Sequence, residues 1–461
     1  MNTRDRLLTA LVEQLPHAHC STAMAERIAY SYDNSRLHGL PDIVVFATSH
    51  QEVVTVMRYA HDQGIPVVAR GRGTNTVGAT VPTHGGIALS LERMTRILDY
   101  QPDDRLLVCE AGTLNGSVQA QAAADGLFWA PDPTSAGYST VGGNIACGAG
   151  GPRAVKYGTA RDAVLGLRAV DGRGCSLRTG CRTSKGVVGY DLTRLLVGSE
   201  GTLAVVTEAT LRLLPQPEEK RTMRAAYASV DAAVAAVARI MRQPAIPCAV
   251  EFMDDEAVRL ARGHSALDLP GATRALLLLE VDGAAHSIAQ DVAAIEAAAR
   301  GEGLLDWQSA STPEATAALW SARKALSPAL RHLAPKKVNE DVVVPISALG
   351  RLIEGLRDLS QRHGLPIVNF GHAGNGNIHV NILADPDDAA QMRAIDACLS
   401  EVFDLVLSLG GTLSGEHGVG IAKRDFVARE VDADTLRRMH AIKALFDPKG
   451  ILNPGKTLPD G

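Results

Sequence analysis

Aromatic side chains are scarce in this chain: 3 Trp, 8 Tyr and 7 Phe make up 4% of 461 residues. Proteins that grip single-stranded nucleic acid stack bases on such rings. A basic excess is missing too, since 46 Lys and Arg stand against 51 Asp and Glu, a formal net charge of −5. Together these give no basis for nucleic acid as a partner. The 7 cysteines (Cys20, Cys109, Cys147, Cys175, Cys181, Cys248 and Cys398) form no CxxC pair, so iron–sulfur and structural-zinc patterns drop out. An odd number without pairing suits reduced, mostly buried thiols and a cytoplasmic protein, with peripheral attachment at the inner membrane as the alternative. No apolar run is long enough to span a bilayer, and Met1 to Pro16 has no signal-peptide core. No G-x-G-x-x-G dinucleotide fingerprint opening a helix occurs.

What is abundant is glycine, 44 residues in clusters. One cluster lies in Gly371-His372-Ala373-Gly374-Asn375-Gly376-Asn377-Ile378-His379-Val380-Asn381. It predicts a tight loop between two strand pieces. Strand alternation then puts His379 and Asn381 on one face, with His372 at the mouth of the loop. Two imidazoles and an amide on one surface suit a divalent metal or a polar substrate. A further ligand is on offer in the Glu416-His417 pair, set among Gly415, Gly418 and Gly420.

In chain order, Ser49 to Glu52 has the form of a capping box. The helix it opens carries Val53, Val54, Met57 and Ala60 on one side, and Gly64 ends it. A strand over 65–69 leads into Arg70-Gly71-Arg72-Gly73-Thr74-Asn75-Thr76-Val77-Gly78. This is either a pyrophosphate cradle or a plain hairpin turn. The segment from Pro131 to Gly151 is rich in Gly, Pro, Ser and Thr with almost no charge, which fits ordered backbone around a bulky polar ligand. Leu214-Pro215-Gln216-Pro217 marks a domain boundary. Beyond it, helices are expected over 229–243, 284–299, 313–333, 347–363 and 387–409, with strands over 248–253, 274–281 and 338–344. The helix over 229–243 is expected to bury Val230, Ala233, Val234, Val237 and Met241. The fold class is α+β: domain 1–215 of two α/β subdomains, domain 216–424 with an antiparallel sheet covered by helices, and a helical C-terminal segment 425–461 that packs back.

The motifs RGRGTNTVGAT, PDPTSAGYSTVGGNIACGAGG, GSEGTLAVVTEATLRL, GHAGNGNIHVN, GGTLSGEHGVG and DPKGILNPGK run through nearly the whole chain. In this order they resemble the FAD-linked oxidoreductases of the vanillyl-alcohol oxidase type, in the branch of D-lactate, glycolate and D-2-hydroxyglutarate dehydrogenases. The resemblance implies FAD held by the N-terminal domain; the glycine loops carry no clear attachment His, so noncovalent FAD is expected. The matching positions are Arg70, Gly71, Arg72, Gly73, Thr74, Asn75 and Thr76, then Pro131, Asp132, Thr134, Gly137, Thr140, Gly142, Gly143 and Asn144, with Gly201, Val206 and Asn453. It implies a divalent metal on His372, His379 and Glu416, and substrate contacts from Arg323, Ser327, Asn381 and His417, with His417 as the base. Two positions depart from the pattern. Asn375 stands where many relatives carry Asp, and Asn339 stands where hydroxyglutarate-specific members carry a Lys.

These assignments make chemical sense together. A bidentate guanidinium holds a carboxylate. A cation on two His and a Glu lowers the pKa of a bound hydroxyl, and N/O ligation favours Zn²⁺ with Mn²⁺ or Fe²⁺ as alternatives. Imidazole suits proton removal near neutrality, and the flavin accepts the hydride. The expected reaction is oxidation of a D-2-hydroxy acid to the 2-oxo acid, D-lactate first, because Asn339 removes a partner for a second carboxylate. D-2-hydroxyglutarate oxidation or a glycolate oxidase-type subunit are the alternatives. A quinone, a cytochrome or an electron-transfer flavoprotein would take the electrons, and a homodimer is the candidate assembly. Competing readings are a flavin-free metal hydrolase and a non-catalytic relay subunit. Residue by residue, Arg323 also reads as a surface ion-pair partner or a partner for Glu416, Ser327 as bonding its own helix, and Asn381 as a turn cap. Glu340 and Asp341 read as strand-edge charges without a role.

Overall fold

The computed structural model describes residues 3–15, 19–264, 268–310 and 312–461. They form two compact units. The first comprises the described residues up to Gly151, then Gly158–Gln216 and Glu416–Gly461; the second comprises Pro152–Tyr157 and Pro217–Gly415. Among the described residues no helix is long and apolar enough to cross a membrane.

The first unit has two sheets, the α/β pair expected. β1 (His19–Ser21), β2 (Ile43–Phe46), β3 (Val67–Arg70) and β4 (Ile87–Ser90) form one, in the order β1-β2-β4-β3. The two contacts of β4 are parallel. Because β3 and β4 run parallel, the glycine loop after Arg70 is a crossover and not a hairpin turn. The second sheet holds β5 (Ile97–Gln101), β6 (Leu106–Glu110), β7 (Leu127–Trp129), β8 (Val164–Asp171), β9 (Ser176–Gly180) and β10 (Ala204–Pro215), with β10 bonded to β6, β7 and β8. Helix His50–Gln63 supplies much of the core shared by the two sheets. Val53, Val54, Val56, Met57 and Ala60 pack with Ile43, Val67, Leu89, Val170 and Val205. Ser49 caps it by accepting from Glu52 N–H at 3.3 Å. The reciprocal half of the capping box moves back one residue, since the Glu52 carboxylate accepts from Thr48 N–H at 2.6 Å.

The C-terminal stretch belongs to this unit. Val67 N–H donates to Ile451 O and Asn453 N–H donates to Val67 O, both at 2.8 Å, so residues 451–453 extend the first sheet beyond β3. Phe446 and Leu452 are buried, in the second and first cores respectively.

The second unit is built on one seven-stranded sheet of order β14-β11-β13-β12-β16-β17-β15. The strands are β11 (Glu219–Tyr227), β12 (Ala249–Met253), β13 (Ala275–Gly283), β14 (Leu304–Ala310), β15 (Lys336–Val343), β16 (Ile367–His372) and β17 (Asn377–Ala384). Every pairing is antiparallel. Helices Asp255–His264 and Pro313–Leu333 cover one face through Leu260, Leu319 and Leu326 packed on Leu276, Leu278, Val368 and Phe370. Helices Val230–Arg242, Ile288–Ala299, Leu349–His363 and Ala389–Ser408 also pack on strands of this sheet. The buried stripe of Val230–Arg242 is Val230, Ala233, Ala236, Val237 and Ile240, so Ala236 and Ile240 replace the expected Val234 and Met241. Strands β11 and β14 and helix Asp255–His264 were not anticipated. Their charged residues, such as Lys220, Arg221 and Asp306, mask the period-2 apolar signal.

β16 and β17 form the expected strand–loop–strand, joined by a short 3₁₀ turn over Ala373–Asn375. Gly376 closes the turn at φ +73, and a Cβ there would collide with the Val344 carbonyl. Gly376→Ala should therefore cost about 1–2 kcal/mol for the left-handed backbone alone, and more for the collision. A thermal melt of the variant checks this; an unchanged midpoint would show that the turn relaxes freely.

Candidate active site

His372 ends β16 and His379 lies in β17, both buried. Their rings sit 5.1 Å apart, centroid to centroid, at 86°. Phe370 pairs directly with His379, and Glu251 pairs directly with His372. Directly opposed residues share a face, so Glu251, Phe370, His372, His379 and Asn381 line one side of the sheet. This is the side covered by helix Pro313–Leu333, which carries Arg323.

Glu251 is the centre of that face. It is 1% exposed and accepts from Arg323 Nε at 2.8 Å and from His372 Nδ1. Burial pushes its carboxyl up, but the His372 imidazole and the Arg323 guanidinium outweigh burial and hold it well below the usual carboxylate range. The Arg323 guanidinium also lies over the Phe370 ring, 4.5 Å from its centroid. Three residues earlier on the same helix, Trp320 Nε1 donates to the buried Glu280 at 2.8 Å. Arg323 is thus an ion-pair partner as one reading had it, but an inward-facing one on a covered sheet. Ser327 lies in the same helix, and its side chain falls outside the described residues.

Asn381 is fully buried in mid-strand, not at a turn, and its amide donates to Val368 O at 3.0 Å and His379 O at 3.1 Å. Its Oδ1 has no partner among the described residues. Asn339 stands directly opposite on β15. Asn375 is exposed in the turn. Glu340 and Asp341 do lie on the edge strand β15, but they are buried, 5% and 0% exposed. Asp341 pairs with His379 across the strands and accepts from Ser414 Oγ at 3.1 Å and Gly415 N–H at 2.8 Å. It therefore fixes the backbone one peptide bond before Glu416. Glu251 and Asp341 were missed as site residues. The available signal was a carboxylate inside an apolar strand, which must find a partner once buried.

In the first unit a cleft of about 830 Å³ is lined mainly by Gly, Thr, Ser and Asn residues. Its lining includes Arg70, Gly71, Arg72, Gly73, Thr74, Asn75 and Thr76, then Thr134, Thr140, Gly143 and Asn144, and finally Glu416 and His417. Gly142, Gly201 and Val206 line an adjoining hollow that shares Gly71 and Thr140 with it. Pro131, Asp132, Gly137 and Asn453 are in neither lining. Asn453 instead donates to Ala79 O at 2.8 Å and Glu200 O at 2.7 Å. The two arginines are engaged within the protein, Arg70 with Tyr32 O and the Tyr30 ring, Arg72 with Glu92 at 3.1 Å. The cleft is at the upper end of the roughly 300–1,000 Å³ typical of ligand sites. Asn144 Nδ2 is buried at its wall with no partner among the described residues. A long ligand rich in acceptors fits such a wall.

Asn75 and Glu200 both hold the His417 segment. Asn75 Nδ2 donates to His417 O at 3.1 Å. Glu200, at φ +53, accepts from Val419 N–H at 2.6 Å, Gly420 N–H at 2.8 Å and Thr457 Oγ1 at 2.7 Å. Burial still pushes the Glu200 carboxyl up.

The protein is an FAD-dependent oxidoreductase by class: residues 41–180 match the family described as "FAD binding domain", and residues 216–457 match "FAD linked oxidases, C-terminal domain". The glycolate oxidase subunit GlcD of Bacillus subtilis is 37% identical over 433 residues, 94% of this chain and 92% of that one. The D-lactate dehydrogenase of Archaeoglobus fulgidus is 36% identical over 421 residues, 90% and 91% of the two chains. Among solved structures, p-cresol methylhydroxylase superposes with a TM-score of 0.80 at 15% identity, covering 100% of this chain and 97% of that one, which establishes the fold. The chain belongs to the FAD-linked oxidases, as its motifs indicated.

One buried cation near the cleft makes a measurable prediction. Lys456 is 4% exposed, and burial pushes its ammonium down to about 8, against partial compensation from Asp33 and Glu200. Unfolded, it holds its proton up to the ordinary 10.5. Between those values the unfolded chain binds more protons, so stability climbs as pH rises. Relative to Lys456→Met, the wild type should gain up to about 3 kcal/mol between the two pH limits. Paired urea melts check this, because the other titrating groups are common to both proteins; parallel curves would refute it.

Proposed function

We propose that the protein oxidises a D-2-hydroxy acid, D-lactate ahead of glycolate and D-2-hydroxyglutarate, to the 2-oxo acid with FAD as hydride acceptor. The observation that carries this reading is the covered sheet face where two buried imidazoles and a guanidinium share one neighbourhood. Two relatives whose printed names are glycolate oxidase subunit and D-lactate dehydrogenase support it, since both names point to small 2-hydroxy acids.

In this reading FAD lies along the cleft lined by Arg70–Thr76, Thr134, Thr140, Gly143 and Asn144. His372, His379 and Glu416 hold a divalent cation. Two imidazole nitrogens and a carboxylate are an N/O donor set that suits Zn²⁺, with Mn²⁺ and Fe²⁺ as alternatives. Bound, the flavin supplies a hydride acceptor and the cation a Lewis acid. The chain's own residues do the rest. Arg323 presents its two Nη groups to the substrate carboxylate, since Nε is held by Glu251. Asn381 Oδ1 is a buried acceptor beside the imidazoles. Ser327 is assigned a substrate contact through the motif. His417 takes the hydroxyl proton as C2 loses its hydride. At Asn339, opposite Asn381, an amide in place of a Lys leaves no cation for a second carboxylate, which favours monocarboxylates.

Electrons then leave to a quinone, a cytochrome or an electron-transfer flavoprotein. A second reading makes the chain one subunit of a larger oxidase, which the word subunit in the relatives' names favours. Location in the cytoplasm, free or at the inner membrane, and a homodimeric state complete the proposal.

Purified protein should be yellow and should bleach anaerobically with D-lactate but not L-lactate. His417→Ala should slow flavin reduction by roughly 10²–10⁴-fold with FAD content unchanged. Bleaching by D-2-hydroxyglutarate without bleaching by D-lactate would refute the argument from Asn339. Colourless protein that hydrolyses esters would replace the whole reading.

A further inference from the structure

We propose that Glu251 is a positioning residue that orients a metal ligand and the substrate-binding arginine at the same time. The inference rests on the roles given to His372 and Arg323 in the preceding section. Its basis is geometric. One fully buried carboxylate accepts from Arg323 Nε at 2.8 Å with one oxygen and from His372 Nδ1 with the other. Strand pairing sets the first half of this arrangement, because Glu251 and His372 are directly opposed on β12 and β16. Helix docking sets the second half. Trp320 on Glu280 and Arg323 on Glu251 tie one face of the helix to neighbouring strands.

The consequence for His372 is a fixed tautomer. An acceptor at Nδ1 keeps the ring proton there and leaves the Nε2 lone pair for a cation. The consequence for Arg323 is a fixed plane. With Nε tied down and the guanidinium carbon 4.5 Å from the centre of the Phe370 ring, the two Nη groups are left to meet a further acceptor as one fork. A simple ion pair would need only one of these contacts. Because both oxygens belong to one carboxylate, the two sites are coupled. Removing the Arg323 contact leaves more negative charge on Glu251 for His372, which makes that imidazole the stronger ligand.

The test uses the full FAD-loaded protein and two binding measurements. Zinc affinity is read by competition with a chelating dye. Affinity for pyruvate, a product-like carboxylate that cannot reduce the flavin, is read at saturating zinc from the flavin spectrum. Glu251→Gln should weaken zinc binding 10–100-fold and pyruvate binding roughly tenfold, with FAD content unchanged. Arg323→Met, which keeps Glu251, should abolish pyruvate binding yet tighten zinc binding; it also serves if Glu251→Gln fails to fold. Wild-type protein that binds neither zinc nor pyruvate overturns the site assignment and this inference with it. Wild-type protein that binds both, with zinc affinity unmoved in Glu251→Gln or in Arg323→Met, overturns the inference alone.

Discussion

Burying a guanidinium against a covered sheet costs several kcal/mol unless a counter-charge comes with it. Glu251 is that counter-charge for Arg323, and the geometry of the second unit follows from it. The carboxylate stands on a central strand, so the arginine must come down from the covering helix to meet it. Trp320, one turn earlier, makes the matching contact with Glu280, and the helix is held in both register and rotation. An apolar pair of similar volume would hold the same helix without a desolvation cost. The ionic solution makes sense where the guanidinium has a second acceptor to meet.

The first unit solves a different problem by different means. Its cleft is lined mainly by Gly, Thr, Ser and Asn residues, with Arg70 and Arg72 already committed to the protein. A dinucleotide is bound well by such a wall because its many acceptors are spread along its length and need donors more than charge. The His417 segment is fixed in the same manner, by amide N–H groups on the Glu200 carboxylate. Glu200 takes a left-handed backbone to reach them, a conformation that side-chain-bearing residues avoid unless the surroundings impose it. Asn453 and Thr457 from the C-terminal stretch impose it here by bonding the Glu200 carbonyl and carboxylate. The tail therefore braces the lining residue Glu200 from behind.

How much of this was legible in the sequence depended on where the signal was written. The 372–381 hairpin could be read because turn residues and strict alternation sit side by side, and alternation decides which face each side chain takes. The family could be read because its motifs are loops, where residue identity is dictated by the ligand and the backbone rather than by bulk packing. Glu251 could not be read, since Ala249-Val250-Glu251-Phe252-Met253 is one buried strand and its carboxylate is justified only by groups about 70 and 120 positions away. Asp341 was misread for the same reason. A strand at the end of a sheet suggests solvent, but the loop over 411–415 lies across β15 and buries it. The cofactor roles of Pro131, Asp132, Gly137 and Asn453 came from motif position, and motif position does not separate residues that touch a ligand from residues that shape the wall behind it.

The choice of substrate follows from which parts of the site are stiff. Glu251, His372, His379 and Asn381 stand on paired strands, and Arg323 on a helix pinned at two points, so the carboxylate and C2 hydroxyl of a hydroxy acid would meet nearly fixed partners. Stiff partners reward the headgroup common to glycolate, lactate and hydroxyglutarate and say little about the rest of the molecule. Discrimination must then come from whatever meets the group on C2. On the strand side the relevant position is Asn339, which an amide leaves uncharged. A neutral position separates a methyl group from a hydrogen by no more than ~1–3 kcal/mol, the worth of a buried methylene. A second carboxylate, by contrast, would find no cation at position 339, and leaving it desolvated and unpaired is a far larger cost. By this reasoning the proposed exclusion of dicarboxylates would be built into the sheet, whereas the proposed preference for lactate over glycolate would rest on a single methyl group.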